Sequence, residues 1–98
     1  MIQRIVRLEF RPEYITEFSQ LFSESKELIR AMPGCLYLEL LEDLDNKSVR
    51  YTISHWESPE HLENYRNSEV FKNIWTKTKT LFAAKPIVYS LVSEMVIS

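Results

Sequence analysis

The sequence predicts an α+β fold, a ferredoxin-like βαββαβ sandwich in which one four-stranded antiparallel sheet carries its helices on a single face. Three observations lead there. The 98 residues suffice for one domain, residues 1–98, with no linker, low-complexity tract or solenoid-length repeat. Apolar positions switch between strand and helix spacing in the order strand, helix, strand, strand, helix, strand. The single glycine and the four prolines all fall at boundaries between those segments.

The first ten residues read as a strand with Val6, Leu8 and Phe10 on one face. Pro12 suits the first position of a helix, where its missing N–H is not needed. From Glu13 to Met32, Tyr14, Ile15, Phe18, Leu21, Phe22, Leu28, Ile29 and Met32 follow the spacing of one buried helix face. Pro33–Gly34 stops that helix. "CLYLELLE" from Cys35 is the second strand, with Leu36, Leu38 and Leu40 set against Tyr37 and Leu41. "DLDNKS" is a polar turn, and "VRYTISHW" is a β-branched and aromatic strand paired back on it. Ser58–Pro59–Glu60 combines an N-cap, a proline at the first helical position and an acid favoured by the helix dipole. Ser68 caps a further short helix, with Phe71, Ile74, Trp75, Thr78 and Phe82 on one stripe. Pro86 ends it, and "IVYSLVSEMVIS" is the closing strand.

Helices on one face of an antiparallel sheet leave the other free to alternate to polar residues. Strands two, three and four instead carry Leu, Tyr, Ile, Val or Met on both faces. A second copy of the sheet is the simplest cover, so the expected state is a homodimer with two sheets packed into a barrel-like core.

Composition narrows the functions. Twelve Lys and Arg against fourteen Asp and Glu give a net charge of -2, without the basic surplus usual in nucleic-acid binders. "MIQRIVRLEF" interleaves charges with apolar residues, unlike a signal peptide, and no apolar run approaches the roughly 20 residues that span a bilayer. A lone cysteine, Cys35, excludes an intrachain disulfide and fits a small buried hydrophobe in a reducing, cytoplasmic setting. His55 and His61, the only histidines, lack a ligand partner at metal-binding spacing, so no metal is expected. The lone Gly34 follows a helix and cannot form a phosphate-binding loop, and there is no nucleophile elbow.

What remains is an aromatic-rich stretch, "HWESPEHLENYRNSEVFKNIW", from His55 to Trp75. Aromatics at helical spacing usually form core, yet pockets for planar organic molecules are lined in the same way. Tyr65 shares a helix face with Leu62, so its ring points inward and its hydroxyl needs a partner or a ligand.

The stretch "SHWESPEHLENYRNSEVFKNIWTKTKTLF", preceded by "MPGCLYLELLED" and followed by "KPIVYSLV", resembles the antibiotic biosynthesis monooxygenase superfamily. Pro33–Cys35, Trp56–Ser58 and Ser68–Phe71 carry the resemblance in order and spacing. It implies a dimeric α+β barrel. It also implies an oxygenase that uses no metal, flavin or haem on anthrone- or quinol-like aromatics. On that reading Tyr65, Asn64 and His55 are the candidate catalytic groups, and Trp56, Phe71 and Trp75 the candidate walls around a small aromatic ligand. Haem-degrading relatives use an Asn on the first strand, a Trp in the second helical region and a haem-ligating His one helix later. Here the first strand has no Asn, Tyr65 stands at the Trp and Trp75 at the His. The alternative to an enzyme is a non-catalytic dimeric module that binds a small ligand in the same pocket.

Overall fold

A computed structural model describes all 98 residues. The strands are β1 (Ile2–Glu9), β2 (Cys35–Glu42), β3 (Val49–Trp56) and β4 (Ile87–Val92). The helices are α1 (Ile15–Arg30), α2 (Pro59–Arg66) and α3 (Glu69–Thr78). The sheet runs in the order β2-β3-β1-β4 with every neighbour antiparallel, the ferredoxin-like arrangement. α1 packs on β2 and α3, and α2 packs on β3 and α3. No helix is long and apolar enough to cross a membrane.

Local chemistry sets the boundaries. Pro12 opens a 3-10 turn, Pro12–Tyr14, that leads into α1, so the regular helix starts two residues later than the periodicity suggests. The Ser58 side chain accepts from the His61 N–H at 3.2 Å and caps α2. The Ser68 hydroxyl accepts from the Phe71 N–H at 3.1 Å and donates to the Tyr65 carbonyl at 2.6 Å, which ties the end of α2 to the start of α3. In the turn after β2, an Asp43 carboxylate oxygen accepts from the backbone N–H groups of Asp45 and Asn46, each at 2.9 Å. Those bonds hold its carboxyl below the usual range.

Three details depart from the sequence expectation. β2 is bulged: Cys35 pairs with Trp56 and Tyr37 with His55, leaving Leu36 as the extra, exposed residue off the face of Leu38. α3 tightens into a 3-10 turn over Lys79–Leu81, so Phe82 is extended and bridges Phe10 rather than extending the helical stripe. β4 stops at Val92, and Ser93–Ser98 forms no regular structure.

The core lies between sheet and helices in two clusters. One gathers Val6, Leu8, Phe10, Phe18 and Leu81. The other gathers Ile29, Cys35, Trp56, Leu62 and Tyr65. The opposite sheet face carries Ile53, Ile5 and Tyr89 in one cross-strand row and has nothing packed over it. Every residue of β4 is exposed.

Gly34 joins α1 to β2 with φ 82°, the left-handed region, and a Cβ there would clash with the Cβ and ring of His61. Gly34→Ala should therefore destabilise the domain by about 2 kcal/mol or more in urea melts. Adding His61→Ala should recover the part due to the clash and leave the part due to the backbone.

Candidate functional site

A cavity of about 80 Å3, partly open to solvent, lies between the sheet and the helices where the two clusters fail to meet. Its floor is the helix-facing side of the central strands: Arg4, Val6 and Leu8 of β1, Thr52 and Ser54 of β3, with Leu38 of β2 beside them. Strand alternation forces this set. Arg4 lies opposite Ser54 and Val6 opposite Thr52, so the four residues share one face. Three helices form the roof, with Phe18, Phe22 and Ile29 from α1, Tyr65 from α2, and Phe71, Ile74 and Trp75 from α3.

The aromatic side chains hold one another in place. Tyr65 stacks on Trp56 with ring centroids 4.8 Å apart, and its other contact is the edge of Phe71 at 5.2 Å. Phe71 and Trp75 stand nearly parallel at 5.8 Å. Trp56 is fully buried and its indole N–H donates to the Ser54 hydroxyl at 3.0 Å. It backs Tyr65 from behind and does not line the cavity.

Several lining side chains carry a polar group with no hydrogen bond from the chain, Tyr65 and Arg4 among them, and none of these atoms is fully closed off from solvent. The Tyr65 hydroxyl has none, and burial pushes its pKa up to about 12, an effect that the positive charge of Arg4 opposes and Cys35 reinforces. At neutral pH this tyrosine is therefore a hydrogen-bond donor and not a base. The Arg4 guanidinium likewise has no hydrogen-bond or ion-pair partner, and burial, then the charge of Arg66, lowers its pKa. The Thr78 hydroxyl is satisfied by donating to the Ile74 carbonyl at 2.7 Å. The lining contains no carboxylate, imidazole or thiol.

Of the six sequence candidates, Tyr65, Phe71 and Trp75 come together around the cavity. Asn64 is exposed on the outer side of α2. His55 lies on the opposite sheet face, stacked on Tyr37 at 4.8 Å. His61 bonds Ser58 at 2.7 Å, its ring packed at Gly34. No three His, Cys, Asp or Glu side chains gather as a metal site would require. Cys35 is buried, which raises its thiol pKa, and its S–H points to the Tyr37 carbonyl at 3.7 Å. Sequence reasoning missed Arg4, Thr52 and Ser54. The signal was present: Arg4 falls in phase with Val6, Leu8 and Phe10, a charge on the face that must be buried.

The family model described as antibiotic biosynthesis monooxygenase matches residues 1–77, which is most of the chain. The chain belongs to the antibiotic biosynthesis monooxygenase family. Solved structures agree in fold. A solved structure named antibiotic biosynthesis monooxygenase is 22% identical with a TM-score of 0.89, over 95% of this chain and 98% of that one. A Mycobacterium tuberculosis protein is 22% identical with a TM-score of 0.89, over 99% and 98%. A conserved protein from Methanosarcina mazei Go1 is 19% identical with a TM-score of 0.88, over 92% and 89%. Among curated proteins, none matches the sequence. The family match ends at residue 77, while the likeness in fold runs through β4.

Because the Tyr65 hydroxyl has no partner in the chain, Tyr65→Phe should change stability at pH 7 by no more than about 0.5 kcal/mol. Its folded pKa of about 12 lies above the ordinary 10, so the fold favours the neutral form. That contribution is complete below pH 10 and is lost as pH rises towards 12. Chemical denaturation across this range should show the wild type losing on the order of 2 kcal/mol relative to Tyr65→Phe.

Proposed function

We propose that the chain is a cofactor-independent monooxygenase acting on a small electron-rich aromatic of the quinol or anthrone type. The observation that carries this reading is the cavity itself, apolar and aromatic, with the unpartnered Tyr65 hydroxyl opening onto it. Dioxygen is a triplet and reacts slowly with closed-shell molecules. An ionised phenol or enol can instead pass it one electron, after which the two radicals combine. A protein accelerates this by holding the ring away from water and by donating to the oxyanion that forms. Phe71 and Trp75 present ring faces for an aromatic, and Tyr65 presents the donor. The cavity is smaller than the roughly 150 Å3 that takes up benzene in a closed core, so a ring enters through the open side and projects from it.

A second reading, a non-catalytic ligand-binding module, is favoured by one observation: no lining side chain can act as a base at neutral pH. The two readings part on oxygen consumption. With no added cofactor, a panel of anthrones, quinols and catechols should show protein-dependent oxygen uptake. Tyr65→Phe should lower it about tenfold or more, since about 1.4 kcal/mol is a factor of ten. Ligand binding without uptake across the panel would decide for the module.

The working unit in this reading is a homodimer. Its support is the row Ile53, Ile5 and Tyr89 on the uncovered sheet face and the exposure of Ile87 and Leu91, which share that face on β4. A second copy supplies the same face and buries both, as in obligate interfaces. Light scattering at micromolar concentration should give twice the chain mass, and Tyr89→Asp should shift it toward one. A stable wild-type monomer would rule the dimer out.

A further inference from the structure

The buried face of β1 carries a charge that the fold itself does not use. Arg4 is 8% exposed and lies on the cavity floor. It takes part in none of the three ion pairs, which join Arg7 to Glu9, Arg50 to Glu42 and Arg66 to Glu63. The groups whose charge reaches it are Arg66 and Tyr65, both on α2, and no carboxylate is among them. Burying a charge without a partner is strongly unfavourable, and a planar guanidinium with five donors is poorly served by an apolar cavity. The Tyr65 hydroxyl opens onto the same space and is also without a partner. Two donors, one of them cationic, therefore open onto a gap in which the protein supplies no charged acceptor and only the solvent at its open side is left to take their hydrogen bonds. An anion with oxygen at its negative end would supply the charged acceptor that the lining lacks.

We propose that Arg4, assisted by the Tyr65 hydroxyl, recognises the ionised oxygen of an acidic phenol or enol, and so selects the deprotonated form of the ligand. The choice of phenol or enol over other oxyanions rests on the oxygenase reading, in which the reacting species must be ionised and no side chain is available to ionise it. Arg4 replaces the missing base. The ligand's proton leaves to solvent before or during binding, and the guanidinium stabilises the anion that remains. An opposite charge a few ångströms away shifts an ionisation in favour of the charged form, and in a recess walled by apolar side chains the effect is larger than at an open surface. The aromatic walls tolerate a charge spread over a ring better than one held on a single atom.

The test uses 4-nitrophenol, a single-ring phenol that changes colour on ionisation and is too electron-poor to consume dioxygen. Its absorbance is titrated with pH in the presence of saturating full-length protein, as wild type, Arg4→Lys and Arg4→Met. Bound to the wild type, the phenol should ionise about one unit or more below its free value, which means that the anion binds tenfold or more tightly than the neutral form. Arg4→Lys should keep part of that preference, and Arg4→Met should abolish it while near-wild-type melting shows that the fold persists. An unshifted titration with the wild type, a failure of the phenol to bind at all, or a preference that survives Arg4→Met would each overturn the proposal. Should Arg4→Met fail to fold, the wild-type shift and its reduction in Arg4→Lys decide. Because the probe is not oxidised, an absence of oxygen uptake on the aromatic panel would sink the oxygenase reading without touching this result, and the reverse also holds.

Discussion

A guanidinium on the buried face of a central strand is the constraint from which the rest of the interior follows. Aliphatic and aromatic side chains cannot close over Arg4 without leaving its donors dry and unpaired. The core accordingly divides around it, one cluster under Phe18 and Leu81 and the other under Trp56 and Leu62. The polar row is short, because Ser54 and Thr52 continue it only one strand further. The interruption thus stays local, and the two clusters still anchor both ends of the sheet. What is left between them is the cavity. Tyr65 marks the boundary, since its ring belongs to the Trp56 cluster and its hydroxyl belongs to the gap.

The two faces of the sheet divide the remaining work. The helix face holds the cavity and nearly all of the buried side chains. The other face and β4 hold much of the exposed apolar surface, including Tyr89 and Leu91. Both edges of a sheet are exposed to further pairing, and an edge strand apolar on each side is a liability for a lone chain. A homodimer turns that liability into an interface, which supports the dimer in the proposed working unit. In the proposed dimer the interface would lie on the face opposite the cavity floor, so that covering one need not close the other.

Much of the fold was legible because its boundaries rest on local chemistry. The strands from Cys35 and Val49 end where alternation ends, and Ser58 and Ser68 cap their helices through contacts three residues long. The bulge at Leu36 was not legible, since one inserted residue in an apolar strand leaves the composition unchanged. Phe82 misled for a related reason. It continues the helical spacing, but its partner is Phe10, seventy-odd residues away, and periodicity carries no information about such a contact. In the site, closeness in sequence was mistaken for closeness in space. His55 and Trp56 are neighbours in a strand and must face opposite ways, and Asn64 is a third of a helical turn from Tyr65. The density of aromatics drew attention to the stretch from His55 to Trp75, whereas Arg4, at the far end of the chain, could be found only by reading the phase of the first strand.

A base and an unpaired arginine exclude each other in so small a space, and this bears on how the site came to lack one. A carboxylate introduced within reach of Arg4 would pair with it at once, since a bidentate guanidinium–carboxylate contact in a poorly hydrated cavity is among the stronger polar interactions available. The pair would neutralise the charge that draws an anion in, and the carboxylate would lose the basicity it was meant to supply. A histidine would keep its proton-accepting nitrogen only as a neutral ring, and beside a cation its protonated form is the disfavoured one. It would also need room that a cavity of about 80 Å3 does not have. For a carboxylate the choice is strict, and with Arg4 unpaired, Tyr65 held neutral and no carboxylate in the lining, this chain has the cation without the base.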